Sequence, residues 1–258
     1  MKRILTILLA LIFIVSSIIF VGKIISDKQN ADAYEKLAES VGVVYEPLTE
    51  PETEETEPET EATIETQETM SETEEPVENE YVVPTGIGNF LTSNPNAVGW
   101  ITGNALKNEG GYPIMQNVDD NEYYLHRNPD GQKTAAGSIY LDSLHDINAD
   151  GLHTIYGHHM KDGSMFKGLT KYADPAYMKN QLDIYTGEKH WKLTPVYYYT
   201  GTADGDYRNV LTSTSEVNAF VKEKTGKDID SASVFVLVTC SYDVADGRAY
   251  LICTATAE

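Results

Sequence analysis

The sequence has 258 residues, enough for one domain of ordinary size with appendages, and a formal net charge of −21. The charge is very uneven: residues 46–80 contain 15 Glu and no Lys or Arg, so the rest of the chain carries about −6. No basic stripe is available to neutralise phosphates, and this argues against a nucleic-acid partner.

An uncharged run rich in Ile, Leu, Val and Phe occupies residues 4–22, and its 19 residues match the length that a helix needs to cross a bilayer. A Lys-Arg pair precedes it, so the positive-inside rule predicts a cytoplasmic N-terminus and an extracellular remainder. A cleaved signal peptide is the alternative, with Ser16 and Ser17 near the cleavage point. Because the apolar run continues past these serines, the sequence favours an uncleaved, single-pass signal-anchor over residues 1–25.

Residues 26–48 mix charged residues with Ala, Leu and Val, and can continue the anchor as a short helix. Residues 46–80 consist of Glu-Thr-Pro repeats, which repel one another and cannot bury enough apolar surface to offset chain entropy. We therefore expect residues 26–80 to form a juxtamembrane segment and a disordered acidic stalk that holds a domain away from the membrane.

From Tyr81 onward the composition is globular, and short runs rich in β-branched and aromatic residues alternate with Asp-Gly turn signals. Strand character follows Trp100, and further strands are predicted at residues 111–115, 138–142, 153–157, 181–186, 192–200, 233–240 and 248–254. Helices are predicted near residues 87–98, after Met165, and over residues 215–224 with Ser215 as N-cap. Many short strands with few helices predict a mainly β domain over residues 81–258, built as a closed or nearly closed barrel with peripheral helices.

The run Val234-Phe-Val-Leu-Val-Thr-Cys240 predicts a buried strand that ends in a cysteine. By itself such a cysteine is more often structural, since free Cys is among the most buried residue types. An Ala-Asp-Gly turn and a second strand follow, and a hairpin centred on residue 244 places Arg248 directly opposite Cys240. A guanidinium at that distance lowers the pKa of a thiol or stabilises a nearby oxyanion, so this cysteine becomes a candidate nucleophile.

The second cysteine, Cys253, pairs with Phe235 in the same register. Five residues of strand separate Phe235 from Cys240, which is about 16 Å and well beyond the reach of a disulfide. Cys253 also points to the opposite face from Arg248, so we expect a core residue.

A nucleophilic cysteine needs a proton-transfer partner, which is usually His. The segment Thr154-Ile-Tyr-Gly-His158 predicts a strand that ends at Gly157 with a histidine at its mouth. The adjacent pair His158–His159 could suggest a metal site, but neighbouring residues on extended backbone point apart and no further ligands follow at zinc-site spacings. We therefore expect neither a metal nor another cofactor.

Taken together, these segments resemble the sortases, a family of cysteine transpeptidases. The shared features are Val238-Thr239-Cys240 at a strand end, Tyr156-Gly157-His158 about 80 residues upstream and Arg248 eight residues downstream. Likeness to class B members extends to Gly111-Tyr-Pro-Ile-Met-Gln116, Tyr123-Tyr-Leu125, Gly137-Ser-Ile-Tyr-Leu-Asp142 and the text from His158 to Phe166. The resemblance covers residues 87–255 and implies a closed barrel of about eight strands, with an N-terminal helix and a helix before the cysteine strand.

The resemblance also implies a mechanism. Cys240 attacks the carbonyl of a Thr in the C-terminal sorting signal of a secreted protein, His158 moves the protons, and Arg248 holds the carbonyl or its oxyanion. The thioester is resolved by an amine of a cell-wall peptide or by a pilin Lys. Residues expected near this site, in a supporting or substrate-binding role, are Tyr156, Thr239 and Asp142.

One departure from the family pattern stands next to the nucleophile, where Val238 replaces the usual Ser of Leu-Ser-Thr-Cys. Two alternatives also stay open at this point. The first is a secreted Cys–His peptidase that hydrolyses rather than transfers, and the second is a surface-displayed binding domain without catalytic activity.

Overall fold

The structure is a computed structural model that describes residues 2–42, 81–241 and 246–258. Its α-helices are α1 (Lys2–Val41), α2 (Thr85–Ser93) and α3 (Thr214–Thr225). Its strands are β1 (Ala97–Thr102), β2 (Tyr112–Met115), β3 (Ile139–Leu141), β4 (Gly151–Tyr156), β5 (Leu182–Tyr185), β6 (His190–Thr202), β7 (Ser233–Cys240) and β8 (Gly247–Ala257). Short 3-10 helices lie at Tyr123–His126, Phe166–Ala173, Pro175–Lys179 and Gly205–Arg208.

The strands close into a barrel in the order β1-β2-β3-β4-β7-β8-β6-β5. Neighbouring strands are antiparallel, except that β2 and β3 run parallel, as do β4 and β7. Closure gives every strand two neighbours and so satisfies the backbone groups that an open sheet would expose at its edges. The predicted closed barrel with peripheral helices is confirmed, and each predicted strand has its counterpart.

The barrel interior is the main hydrophobic core, because alternate residues of each strand point into it. On β7 and β8 the inward side chains include Phe235, Leu237 and Cys253, each 0% exposed. Trp191 of β6 packs on Phe235 with 5.6 Å between the ring centroids, and its indole donates to the carbonyl of Ile147 at 2.9 Å. A fully buried Leu or Phe side chain such as these contributes about 1.5–3 kcal/mol of transfer free energy.

The outer face of β4, β7 and β8 forms a second core beneath α3. Val234 and Val236 of β7 pack there with Val217 and Val221 of α3. Residues of β7 therefore divide by parity, with odd-numbered side chains in the barrel and even-numbered side chains on this outer face.

The N-cap of α3 is Ser213 rather than the predicted Ser215. The Ser213 hydroxyl accepts from the backbone N–H of Glu216, and the Glu216 carboxylate accepts in return from the Ser213 backbone, which completes a capping box. The helix ends on Gly226 in the left-handed conformation (φ 71°). Ser215 is wrong as the N-cap because it lacks the acidic partner three residues on that Ser213 has.

Helix α1 is continuous over 40 residues, so a helical continuation of the apolar run is confirmed as far as Val41. Between residues 8 and 25 most of its apolar side chains are exposed. Its most apolar 18-residue window has a mean hydropathy of 2.7, long and apolar enough to cross a membrane, although a signal sequence has the same character. The helix is therefore compatible with membrane anchoring.

The C-terminal turns of α1 pack on the barrel. Tyr34 is buried and its hydroxyl donates to the carbonyl of Gly137 at 2.7 Å. Val41 lies directly against α2, where a Cβ on Gly86 would come within 1.8 Å of the Val41 carbonyl oxygen, so only glycine fits. The predicted acidic stalk lies outside the described residues, and the division of the chain at residue 81 stays a prediction.

Helix α2 is shorter than predicted and ends at Ser93 instead of residue 98. Asn94 precedes Pro95, and the proline ring disfavours helical backbone in the residue before it. Asn94 accordingly adopts an extended conformation (φ −127°, ψ 90°), and β1 begins at Ala97. The predicted helix over residues 87–98 is therefore too long at its C-terminal end, because it includes Pro95.

Candidate active site

Three neighbouring strands bring the predicted site residues to one end of the barrel. Cys240, the last residue of β7, pairs with Arg248 near the start of β8, so the predicted register is confirmed. On the other side of β7 the parallel strand β4 pairs Tyr156 with Val238. His158 lies two residues beyond Tyr156 and Cys240 lies two residues beyond Val238, and adjacent strands are about 4.8 Å apart. The cysteine therefore lies between the histidine and the arginine.

The two cysteines lie on opposite faces of this sheet. Cys240 shares the outer face with Val238 and is half-buried, whereas Cys253 is fully buried in the barrel opposite Phe235. Neither cysteine is in a disulfide. The predictions that Cys253 pairs with Phe235 and belongs to the core are confirmed.

A cavity of about 350 Å³ opens over the outer face around Cys240. Its floor comes from the strands and its walls come from the 3-10 helices Tyr123–His126 and Gly205–Arg208. The lining residues are Asn121, Glu122, Leu125, Tyr140, Tyr156, Gly157, His158, Ala203, Asp204, Gly205, Tyr207, Arg208, Val238, Thr239, Cys240, Arg248 and Tyr250. The cavity therefore brings all the predicted site residues except Asp142 to one surface.

His158 has a defined orientation. Its Nε2 atom lies 2.7 Å from the carbonyl oxygen of Leu125, and its ring stacks on His126 with 5.5 Å between centroids. Because a carbonyl oxygen only accepts, Nε2 carries the proton and Nδ1 is the basic nitrogen of the neutral ring. Burial lowers the pKa of His158 and outweighs the opposing hydrogen bond to Leu125, while His126 and Arg248 lower the pKa further, so the neutral ring is favoured.

Arg248 is held from behind by the turn that precedes β8. Its Nη1 atom donates to the carbonyl oxygens of Asp246 at 3.2 Å and Gly247 at 3.0 Å. A guanidinium has five N–H donors on three nitrogens, and these two bonds use only Nη1.

Asp142 and Tyr156 meet as parts of one polar network, together with an arginine that the sequence did not reveal. The carboxylate of Asp142 is 0% exposed, accepts from the Tyr156 hydroxyl at 2.9 Å and accepts from Arg208 Nε at 2.8 Å. The pKa of Tyr156 is raised, first by burial and then by the charge of Asp142. Nothing in the local text Gly205-Asp-Tyr-Arg208 marks this arginine, because the contact spans 66 residues of sequence.

Thr239 borders the cavity, but its side chain belongs to the buried inner face of β7. The hydroxyl oxygen is buried and has no hydrogen-bond partner among the described residues. Val238, in contrast, is on the outer face, 4% exposed, and forms part of the cavity floor beside Tyr250.

Two aromatic residues and a second histidine at this site also escaped the sequence-based prediction. Tyr207 and Tyr250 stack at 4.8 Å between centroids, and Tyr250 accepts from the backbone N–H of Asp204 at 3.0 Å, which fixes the cavity wall to β8. His159 lies with Nδ1 2.8 Å from the carbonyl oxygen of Cys240. Within the described residues, no three His, Cys, Asp or Glu side chains group so that they could hold a metal ion.

Comparison with known sequences gives two curated relatives, while no family model matches the chain. Sortase B of Listeria monocytogenes is 45% identical over 86 residues, which cover 33% of this chain and 34% of that protein. Sortase B of Staphylococcus aureus is 28% identical over 151 residues, which cover 56% of this chain and 60% of that protein. The matches therefore span about a third and three fifths of the lengths of these relatives.

Solved structures extend the match to the whole barrel. Sortase B from Bacillus anthracis, in a complex with AAEK2, is 30% identical with a TM-score of 0.59, and the alignment covers 71% of this chain and 89% of that one. A Staphylococcus aureus sortase B–substrate complex aligns over 90% of this chain and 98% of its own with a TM-score of 0.64, and at 20% identity it shows the shared fold. The chain belongs to the class B sortase family, in agreement with the resemblance of its motifs.

Proposed function

We propose that this chain is an extracytoplasmic cysteine transpeptidase that cleaves a C-terminal sorting signal after Thr and transfers the acyl group to an amine. The observation that carries the proposal is the arrangement at the end of the barrel: Cys240 on the outer face, with Arg248 opposite it on β8 and His158 beyond the end of β4. Membership of the class B sortase family supports the same reaction.

In the first half of the reaction Cys240 Sγ attacks the Thr carbonyl carbon. Because the neutral form of His158 is favoured, its Nδ1 atom takes the thiol proton as the sulfur attacks. The remaining N–H donors of Arg248 stabilise the oxygen that becomes negative in the tetrahedral intermediate. The C–N bond then breaks, the imidazolium of His158 gives its proton to the leaving amine, and a thioester on Cys240 remains.

In the second half an incoming amine attacks the thioester carbonyl. His158, neutral again, accepts a proton from this amine, the C–S bond breaks, and the proton returns to the sulfur of Cys240. An amide bond replaces an amide bond, so the step needs no energy source other than the original peptide bond. We propose a cell-wall peptide amine or a pilin Lys as the acceptor.

The proposed location is the outer surface of a cell, with α1 as a single-pass membrane anchor and the N-terminus in the cytoplasm. Residues 8–25 of helix α1 are mostly apolar and exposed and lie near the N-terminus, which supports anchoring. The proposed donor partners are secreted proteins that carry a C-terminal sorting signal.

The test uses the full chain in detergent or liposomes with synthetic peptides from the C-termini of secreted proteins. Mass spectrometry is expected to detect a thioester adduct on Cys240 and, with hydroxylamine, glycyl peptides or Nα-acetyl-lysine added, an amide product of donor and amine. Cys240→Ala is expected to give neither.

Hydrolysis alone, with no amide formed at any amine tested, would overturn the transpeptidase in favour of a Cys–His peptidase. Failure to form an adduct with any peptide, together with full function of the Cys240→Ala variant in cells, would instead support a binding domain.

A further inference from the structure

The nucleophile lies where a ladder of backbone hydrogen bonds stops. Between the parallel strands β4 and β7, the N–H of Gly157 donates to the carbonyl of Val238 at 3.0 Å. The next donor in a parallel ladder would be the backbone N–H of His159, and its acceptor would be the carbonyl of Cys240. The chain leaves β4 before that point, and residue 159 instead forms an isolated antiparallel bridge with Met165. The carbonyl of Cys240 therefore lacks the backbone partner that the strand would have provided.

The side chain of His159 takes the position of the missing backbone donor. Its Nδ1 atom lies 2.8 Å from the Cys240 carbonyl oxygen. Since a carbonyl oxygen only accepts, Nδ1 carries the proton and donates. Leaving a half-buried carbonyl without a hydrogen-bond partner costs free energy comparable to a lost hydrogen bond. The contact with His159 therefore stabilises this peptide group.

The same peptide group is held from the other side. The carbonyl of Cys240 and the N–H of Ser241 belong to one planar peptide unit. The Ser241 N–H donates to the carbonyl of Gly247 on β8 at 2.9 Å. The peptide unit that follows the nucleophile is thus fixed between His159 on one side and β8 on the other, and this fixes the direction of the Cys240 side chain.

We propose that His159 is a positioning residue for the nucleophile, and that it acts by donating a hydrogen bond from Nδ1 to the Cys240 backbone carbonyl. The inference rests on the proposed function of Cys240. The two consecutive histidines then divide the work: His158 presents its ring to the cavity, and His159 orients the cysteine that His158 serves.

The kinetic test compares three variants of the full chain. In His159→Asn the amide N–H can reach the position of Nδ1, whereas in His159→Gln it reaches toward the position of Nε2, and His159→Ala has no donor. We expect kcat for transfer to stay within about threefold of wild type in the Asn variant. We expect the Ala and Gln variants to lose about 10- to 100-fold in kcat with little change in KM, since the substrate cavity stays intact while the nucleophile is misaligned. Equal Tm values in the Asn and Gln variants would exclude a difference in folding.

A second measurement does not depend on transfer. Selective 13C labelling of cysteine carbonyls gives two resonances, and Cys253 in the core serves as the internal reference. The Cys240 resonance is expected to move upfield in the Ala and Gln variants and to stay in place in the Asn variant. An unshifted resonance in both Ala and Gln, or Asn kinetics as poor as those of Gln, would overturn the proposal. If the wild type transfers no peptide, the proposed function fails, and the carbonyl shift still decides whether His159 holds Cys240.

Discussion

Cys240 and Cys253 have the same side chain and lie on the same pair of strands, but on opposite faces. Cys240 is half-buried at a strand end, opposite Arg248 and next to an open cavity. Cys253 is 0% exposed inside the barrel, and burial alone raises the pKa of its thiol well above the usual range. Because the thiolate is the reactive form of a cysteine, the buried thiol of Cys253 is poorly suited to covalent chemistry, and Cys240 is the cysteine that we propose as the nucleophile.

The histidines of β4 and its end repeat this contrast. His153 points inward, packs on Phe235 with 4.4 Å between ring centroids, and has its pKa lowered to about 3, chiefly by burial. His158 borders the cavity with Nε2 on the Leu125 carbonyl, and its Nδ1 is the atom that we propose for proton transfer. The barrel wall therefore separates the cysteine and histidine that are buried in the core from the cysteine and histidine that border the cavity.

The largest expected effect separates the two cysteines. Cys240→Ala is expected to lower the rate of transfer by at least about 10³-fold, because no other group can form the thioester. Cys253→Ala is expected to keep transfer within about threefold of wild type and to lose about 1–2 kcal/mol of unfolding free energy through the small cavity that it leaves. Transfer kinetics and urea denaturation of both variants test this. A Cys253→Ala variant that folds but does not transfer would contradict the assignment of Cys253 to a purely structural role on the inner face.

The next effect distinguishes the two arginines that line the cavity. Arg248→Ala is expected to lower kcat/KM for transfer by about 10²–10³-fold with little change in stability, since among the described residues its guanidinium bonds only nearby backbone carbonyls and, in the proposed mechanism, it donates to the reacting oxygen. Arg208→Ala is expected to lower the unfolding free energy by roughly 3 kcal/mol, because it leaves the fully buried carboxylate of Asp142 without its cation.

The matched controls are lysine substitutions. Arg248→Lys keeps the positive charge but not the planar arrangement of several N–H donors. It should therefore recover only part of the kcat/KM that Arg248→Ala loses. Arg208→Lys should recover most of the lost stability. If Arg208→Ala were as stable as wild type, the Asp142 network would not support the cavity wall.

The third prediction concerns pH and the inner face. His153 has a folded-state pKa of about 3 against an ordinary value of 6.5, so the unfolded state binds its proton first as the pH falls. Its contribution to stability is fully present above pH 6.5 and is lost between pH 6.5 and 3, at up to about 1.4 kcal/mol per pH unit. In urea denaturation, the wild type is expected to lose about 2 kcal/mol more than His153→Phe between pH 7 and pH 5. Parallel pH dependence in the two proteins would mean that His153 is not buried in its neutral form.

Local patterns were sufficient to predict the hairpin but not the cavity. The Cys240–Arg248 pairing depends on a turn and two adjacent strands, and alternation along them assigns each side chain to a face. The network around Asp142 depends on Arg208, which lies 66 residues away and reaches it only after the barrel closes. No periodicity encodes such a contact, because it is set by the packing of a 3-10 helix on a distant strand.

Two errors had signals in the sequence that were not used. The Ser213-Thr-Ser-Glu216 text is a capping box and would have moved the start of α3 two residues upstream. Pro95 marked the end of α2. The packing of Tyr34 on the barrel, in contrast, had no such signal, because an amphipathic stretch next to a membrane segment does not reveal what covers it.

The smallest expected effect tests the departure from the family pattern at Val238. Val238→Ser removes two buried methyl groups and adds a hydroxyl to the outer-face core, so we expect a loss of about 1–2 kcal/mol in unfolding free energy. Because Val238 is in the cavity floor, KM for the donor peptide should change by less than tenfold while kcat stays nearly constant. Val238→Thr keeps the shape and adds only the hydroxyl, and Val236→Thr does the same on the same face outside the cavity. A change in KM in both Val238 variants, but not in Val236→Thr, would assign the effect to a hydroxyl next to the substrate. A loss of kcat in the Val238 variants would instead mean that residue 238 acts on Cys240 itself.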